Sequence, residues 1–171
     1  MHKLADVRGG VSVATSELGG PILLEGAVLS KPVSGITHVC KFAKVVEAVE
    51  ATAKTVKVAK DHNFKVGQFI TAGVGEIAAT ITAIEEGKES DTLTLDAALG
   101  ALGADKLLVE AAAKTTAKES ALKYEPVALC GTTKAIEPKS NLDTDAILIG
   151  VTTGHILPEC FKAYLPNIIN Y

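Results

Sequence analysis

The chain has 171 residues, enough for one ordinary domain or two very small ones, and it is 47% apolar yet only 4% aromatic, with no Trp. A net charge of -3, a pI near 5.8 and a single arginine, Arg8, among scattered lysines leave no electrostatic footprint for nucleic acid. No run approaches the roughly 18 apolar residues of a membrane span, and the opening "MHKLADVRGGVSVATSELGG" lacks the apolar core of a signal peptide, so the expectation is a soluble protein without a cleaved signal, partnered by neither nucleic acid nor membrane.

Composition marks three zones, 1–34, 35–113 and 114–171. The first holds Gly9, Gly10, Gly19 and Gly20 with Ser and Thr between them, a sequence with little to bury, and reads as an extended arm. After Pro21, "ILLEGAVLSKPVSGITHVCKF" gives two short apolar runs separated by Lys31-Pro32 and Ser34-Gly35, the punctuation of a turn between strands.

The middle zone has the clearest period of two. Val56 and Val58 flank Lys57; Ile77, Ala79, Ile81 and Ala83 alternate with Ala78, Thr80 and Thr82; Leu93 and Leu95 alternate with Thr92 and Thr94. Such alternation means strands with one buried face, and the joins "KDHN", "AGVGE" and "EEGKESD" carry turn residues, so an antiparallel meander curled into a small barrel or sandwich is expected. "AKVVEAVEATAK", Ala43 to Lys54, is rich in helix formers, and Val45, Val46 and Val49 suit a helical stripe as well as Val46 and Ala48 suit a strand face; strand is favoured. "DAALGALGADKLL" is broken twice by glycine and reads as a short helical turn or loop.

From Lys114, "KTTAKES" is polar and aperiodic, as a linker or exposed loop is. "ALKYEPVALCG" and "DTDAILIGVTTG" read as two further strands. In "HILPECFKAYLPNIINY", Pro158 and Glu159 suit the start of a short helix with Phe161, Tyr164 and Leu165 on one side; Pro166 ends it, and "NIINY" is a final strand or tail. The fold class is therefore mainly β, a small antiparallel barrel or sandwich with an extended N-terminal arm and a short C-terminal helix, and the third zone packs on the same domain as the second.

The residues that suggest chemistry have ordinary structural readings. Asp61, His62 and Asn63 are adjacent in sequence, but neighbouring side chains diverge, and Asn and Asp are turn residues, so a turn is expected. His38 and Cys40 share a strand face, yet no third or fourth ligand arrives with recognisable metal spacing. Gly87-Lys88 fails the phosphate-loop pattern, because Thr82 stands where the first glycine belongs and Glu89 separates Lys88 from Ser90. "GVTTGH" has no serine nucleophile, and Cys130 in "ALCGTT" reads as a buried structural thiol. Cys40, Cys130 and Cys160 are odd in number and widely spaced, which predicts reduced, mostly buried cysteines. Glu47, Glu50, Glu76, Glu85, Glu86 and Glu89 are spread as a solvated face. No catalytic, cofactor or metal residue is assigned, no cofactor is expected, and an enzyme is not the expected class.

The order of segments resembles the head fibre and head decoration proteins of tailed bacteriophages, notably the short head fibres of phages and prophages of gut Bacteroides-type bacteria. The resemblance runs through "VKVAKDHNFKVGQFITAG", "IAATITAIEEGKESDTLTLDAALG", "ALKYEPVALCG" and "DAILIGVTTGHILPECFKAYLPNIINY", about two thirds of the chain, the "L-P…A-Y-L-P-N-I" ending being its most specific part. It implies a non-enzymatic virion protein, made in the bacterial cytoplasm, displayed on the capsid exterior, bound to the major or an auxiliary capsid protein, and self-assembled, with a homotrimer favoured. The arm before Pro21 has no counterpart in the resemblance; it is expected to order on a partner by strand addition. The alternative is a carbohydrate-binding or adhesion module, with host-surface glycan as partner; the absence of Trp, and the placing of Tyr164 and Tyr171 in the C-terminal segment, rank it second.

Overall fold

The structure is a computed structural model that describes residues 1–137, 140–154 and 156–170. In chain order its elements are β1 (His2–Asp6), β2 (Val11–Val13), β3 (Ile22–Leu23), β4 (Val28–Ser30), β5 (Phe42–Lys44), β6 (Thr55–Ala59), β7 (Phe69–Thr71), β8 (Ala78–Glu86), β9 (Ser90–Leu95), β10 (Leu107–Ala111), β11 (Pro126–Cys130), β12 (Lys134–Ala135), β13 (Leu142–Thr144), β14 (Ala146–Thr152), α1 (Glu159–Lys162) and β15 (Ile168–Asn170). The protein is mainly β and sandwich-like, with several antiparallel sheets, a short C-terminal helix and no closed barrel among the described residues. It divides into two compact units, the first made of Met1–Cys40 and Tyr124–Tyr171, the second of Lys41–Lys123. These bounds group the chain differently from composition, since the N-terminal zone joins most of the C-terminal zone in one unit.

Unit 1 is built by nested antiparallel pairing of its two chain halves. β1 pairs with β14, β2 with β13, β3 with β12 and β4 with β11. Val13, Leu18, Leu23, Leu29 and Val39 thereby pack with Ala128, Cys130 and Ala146 in one apolar cluster. The first twenty residues are extended, but they are no free arm: Val13 is fully buried and Leu18 is 5% exposed. Ordering on a partner is thus unnecessary for this segment.

The glycines of that segment serve turn geometry. Gly9 and Gly10 have φ of +87° and +76° in the turn joining β1 to β2, closed by a bond from the Gly10 N–H to the Val7 carbonyl at 3.0 Å. A Cβ on Gly10 would stand 2.8 Å from the Thr144 carbonyl oxygen. Ser34 and Gly35, both at positive φ, make the tight turn between Val33 and Ile36.

β14 is flanked on both edges. Ile147 pairs with both Asp6 and Leu129, and Val151 with both His2 and Ile169, so β1 covers one edge while β11 and β15 share the other. β15 runs parallel to β14, which requires a crossover, and the segment containing α1 supplies it. The helix begins after Pro158 as expected; Phe161 and Leu165 are buried, whereas Tyr164 is exposed. His155 and Tyr171 lie outside the described residues, as do Pro138 and Lys139 of the segment between β12 and β13.

Unit 2 is one curled antiparallel sheet in the order β5-β10-β7-β8-β9-β6. Its two end strands approach through a single bridge, Val45 to Val58. β7, β8 and β9 are successive hairpins, but β6 joins beyond β9, so the sheet is not a simple meander. The alternating residues Val56, Val58, Ala79, Ile81, Leu93 and Leu95 all face the core, together with Phe64, Ile70 and Leu108.

Two expectations change here. The strand reading of Ala43–Lys54 holds only to Lys44, and its inward residues are Ala43 and Val45, while Val46 is 43% exposed. "KTTAKES" is an exposed loop over Thr116–Glu119, as expected, but not a free linker: Thr115 bridges to Ala78 and Ser120 is 2% exposed. Its hydroxyls replace a strand partner for the Gly73–Ala78 loop. Ser120 Oγ accepts the Glu76 N–H at 3.2 Å and donates to the Gly73 carbonyl at 2.9 Å, and Thr115 Oγ1 accepts the Ala78 N–H at 3.0 Å. Lys114 pairs with Asp96 at 2.8 Å; this bond, assisted by the Thr80 N–H, lowers the Asp96 carboxyl to about 2.

The two turn glycines provide a test. Gly9→Ala incurs left-handed strain alone, roughly 1–2 kcal/mol. Gly10→Ala adds the clash with Thr144 and should lower stability measurably more in urea unfolding. Equal effects of the two substitutions would show that the turn does not pack against β13 as described.

Candidate functional site

The backbone of Asp61-His62-Asn63 is a turn, with Asp61 and Asn63 in left-handed conformation at φ 62° and 57°. That geometry rotates His62 inward between them, to 9% exposure. Its ring stacks on Phe64 with centroids 5.3 Å apart, and Nδ1 accepts the Phe64 N–H at 2.9 Å. The neutral ring therefore carries its proton on Nε2, which faces Asp91 Oδ2 at 3.3 Å. This contact is electrostatic, because Nε2 lacks a hydrogen bond of good geometry.

Asp91 is the hub of this cluster. Its Oδ1 accepts from Lys60 Nζ and from the Gly87 N–H at 3.1 Å, which ties the β8–β9 hairpin to the end of β6. Burial pushes the Asp91 carboxyl up, but the Lys60 ammonium and the Gly87 amide outweigh it and hold the group below the ordinary carboxylate range. For His62, burial is the largest influence and pushes the imidazole below its ordinary value, against the attraction of Asp91. The pair resembles the base and orienting carboxylate of a catalytic triad. However, Nδ1 is occupied by the Phe64 amide and Nε2 points at Asp91, so neither nitrogen is directed at a substrate.

His38 and Cys40 do come together, around Tyr124. The His38 ring stacks on Tyr124 at 4.3 Å and 14°, and its Nδ1 lies 3.5 Å from Glu17 Oε2. The Tyr124 hydroxyl donates to the Glu17 carboxylate at 3.0 and 2.9 Å. Cys40 Sγ is directed at the Tyr124 carbonyl, 3.6 Å away. Among the described residues no three His, Cys, Asp or Glu side chains are grouped to hold a metal. Cys130 is buried, with Sγ 3.3 Å from both the Thr132 carbonyl and Thr144 Oγ1, a contact that packs β11 on β13.

Sequence reasoning passed over Glu110. Glu47 and Glu76 occupy the surface as expected, paired with Lys57 and Lys118, but Glu110 on β10 is 4% exposed. Its Oε1 lies 3.3 Å from Lys41 Nζ and 3.0 Å from Lys123 Nζ, and Lys41 is itself 2% exposed. A carboxylate inside "LLVEA" was the available signal, since a charge within an apolar strand requires a buried partner.

The other notable surface is apolar. Directly paired strand residues share a sheet face, so Ala5, Ile149, Val151 and Ile169 project from one side of unit 1. Ile149 is 40% exposed and Ile169 54%, and Leu4, the extra residue of the bulge opposite Ile149, is 64% exposed. A second register irregularity at Leu148 interrupts the alternation, which is why Ile147 is buried while Ile149 is exposed. Among the described residues, the strand β15 pairs with β14.

A scan against models of known protein families found no match, and neither did searches of curated proteins and of solved structures.

Replacing Glu110 tests the buried cluster. Glu110→Ala leaves Lys41 inside the unit without its carboxylate and should cost about 3–5 kcal/mol in chemical denaturation. A loss below about 1 kcal/mol, the ordinary range for a surface pair, would show that the cluster is solvated.

Proposed function

We propose that this protein is a non-enzymatic structural component of a tailed-phage virion, a head fibre or capsid decoration protein that assembles as a homotrimer on the capsid exterior. The observation that carries the reading is the exposed apolar face of Leu4, Ile149 and Ile169 on paired strands of unit 1. Contiguous exposed apolar surface on a folded domain favours association. The segment order that resembles phage head fibres and decoration proteins supplies the virion context. The polar clusters at His62, His38 and Glu110 have internal partners, which suits a scaffold more than a catalyst.

Carbohydrate binding has one observation in its favour, the 45% exposed ring of Tyr164 after α1, a platform on which a sugar ring can stack.

Molar mass by light scattering is the direct test. The expected value is three times 17.7 kDa, falling to the monomer in Ile149→Lys/Ile169→Lys, and the trimer should cosediment with capsids of a tailed phage. A wild-type monomer that ignores capsids would overturn the reading, and glycan binding lost in Tyr164→Ala would put the carbohydrate module in its place.

A further inference from the structure

His62 has a geometric peculiarity that bears on acid. The lone pair open to a second proton is on Nδ1, and that lone pair already accepts the Phe64 N–H at 2.9 Å. Protonation places two N–H donors face to face at hydrogen-bonding distance, and one must move. Phe64 is 2% exposed in the core of unit 2, so displacing its amide disturbs a buried ring.

The charged groups facing the imidazole are Asp91 from β9, Lys60 from the end of β6, and Asp61 from the turn itself. Asp91 attracts a proton to His62, but its Oδ1 is held by Lys60 and Gly87, and Lys60 repels the proton. The Phe64 amide holds the near end of the turn, while the Gly67 N–H holds its far end to the Ile81 carbonyl at 2.8 Å, so loss of the His62 bond frees the near end first.

We propose that the Lys60–Gly67 turn is a proton-operated latch: uptake of a proton at His62 Nδ1 breaks the bond to the Phe64 amide and releases the turn from the sheet in mild acid. The direction follows from linkage. Burial holds the folded imidazole below the ordinary value of 6.5, so the latch is fully closed above that value and loosens as pH falls beneath it through the folded-state value. Asp91, held below the ordinary carboxylate value of 3.8, stays charged throughout that window. Opening would add Phe64 to a surface that already carries Val66 at 59% exposure.

Hydrogen exchange of the full chain, followed by mass spectrometry at about pH 7.5 and about pH 5 and corrected for intrinsic rates, tests the latch. Protection across 60–67 should fall about tenfold or more in the wild type while β9 is unchanged, and it should not fall in His62→Asn, whose Oδ1 can accept the Phe64 amide without titrating. Unchanged protection in the wild type, or an equal fall in His62→Asn, overturns the proposal. Should that variant fold poorly, NMR of the wild type decides: the Phe64 amide shift must titrate with the His62 ring midpoint, and an amide indifferent to the ring rules the latch out.

Discussion

The constraint on which unit 2 depends is the burial of one carboxylate. Glu110 sits on β10, between β5 and β7, where a lone charge is prohibitive. Its partners are Lys41 and Lys123, the first and last residues of the unit. Backbone bonds repeat the arrangement, from the Glu110 N–H to the Lys41 carbonyl at 3.0 Å and from the Lys123 N–H to the Glu110 carbonyl at 3.3 Å. Both ends of the unit are thus pinned to one residue. Such closure is what an inserted segment requires, because its host chain must resume near the point where it was interrupted.

Unit 1 shows the complementary constraint. Every named strand pair between its halves joins a strand before Lys41 to one after Lys123, in nested order from β4–β11 to β1–β14. These pairings close long loops, which is slow when the intervening chain is disordered and quicker when it is already compact.

What could be read from the sequence follows from where each signal is stored. β6, β8 and β9 have one buried face, so alternation discloses them. β10, with Leu108, Val109, Glu110 and Ala111 all buried, has no alternation to read, and its apolar run passes for the end of a loop. β1 and β2 escaped because their partners lie at the far end of the chain and glycines and polar residues surround them. The turn at Asp61 and Asn63 was legible from residue type alone, whereas the inward rotation of His62 onto Asp91 was not. Local conformation is written locally, but a cross-sheet contact is specified by register, which a single pattern of faces does not contain.

The distribution of exposed apolar residues completes the argument. In unit 2, Val46, Val66 and Val74 are exposed singly, outside the strands, which is ordinary for a folded domain. In unit 1, Ile149 and Ile169 lie on adjacent paired strands with Leu4 at the bulge, so register assembles them into one surface. Aromatic side chains are scarce in this chain, so Leu and Ile carry most of the burial that each core can gain. Leaving isoleucines on an open sheet face is therefore a considerable sacrifice for a monomer. A second copy covering that face would remove the sacrifice, which is why the self-association proposed above is assigned to the apolar face of unit 1.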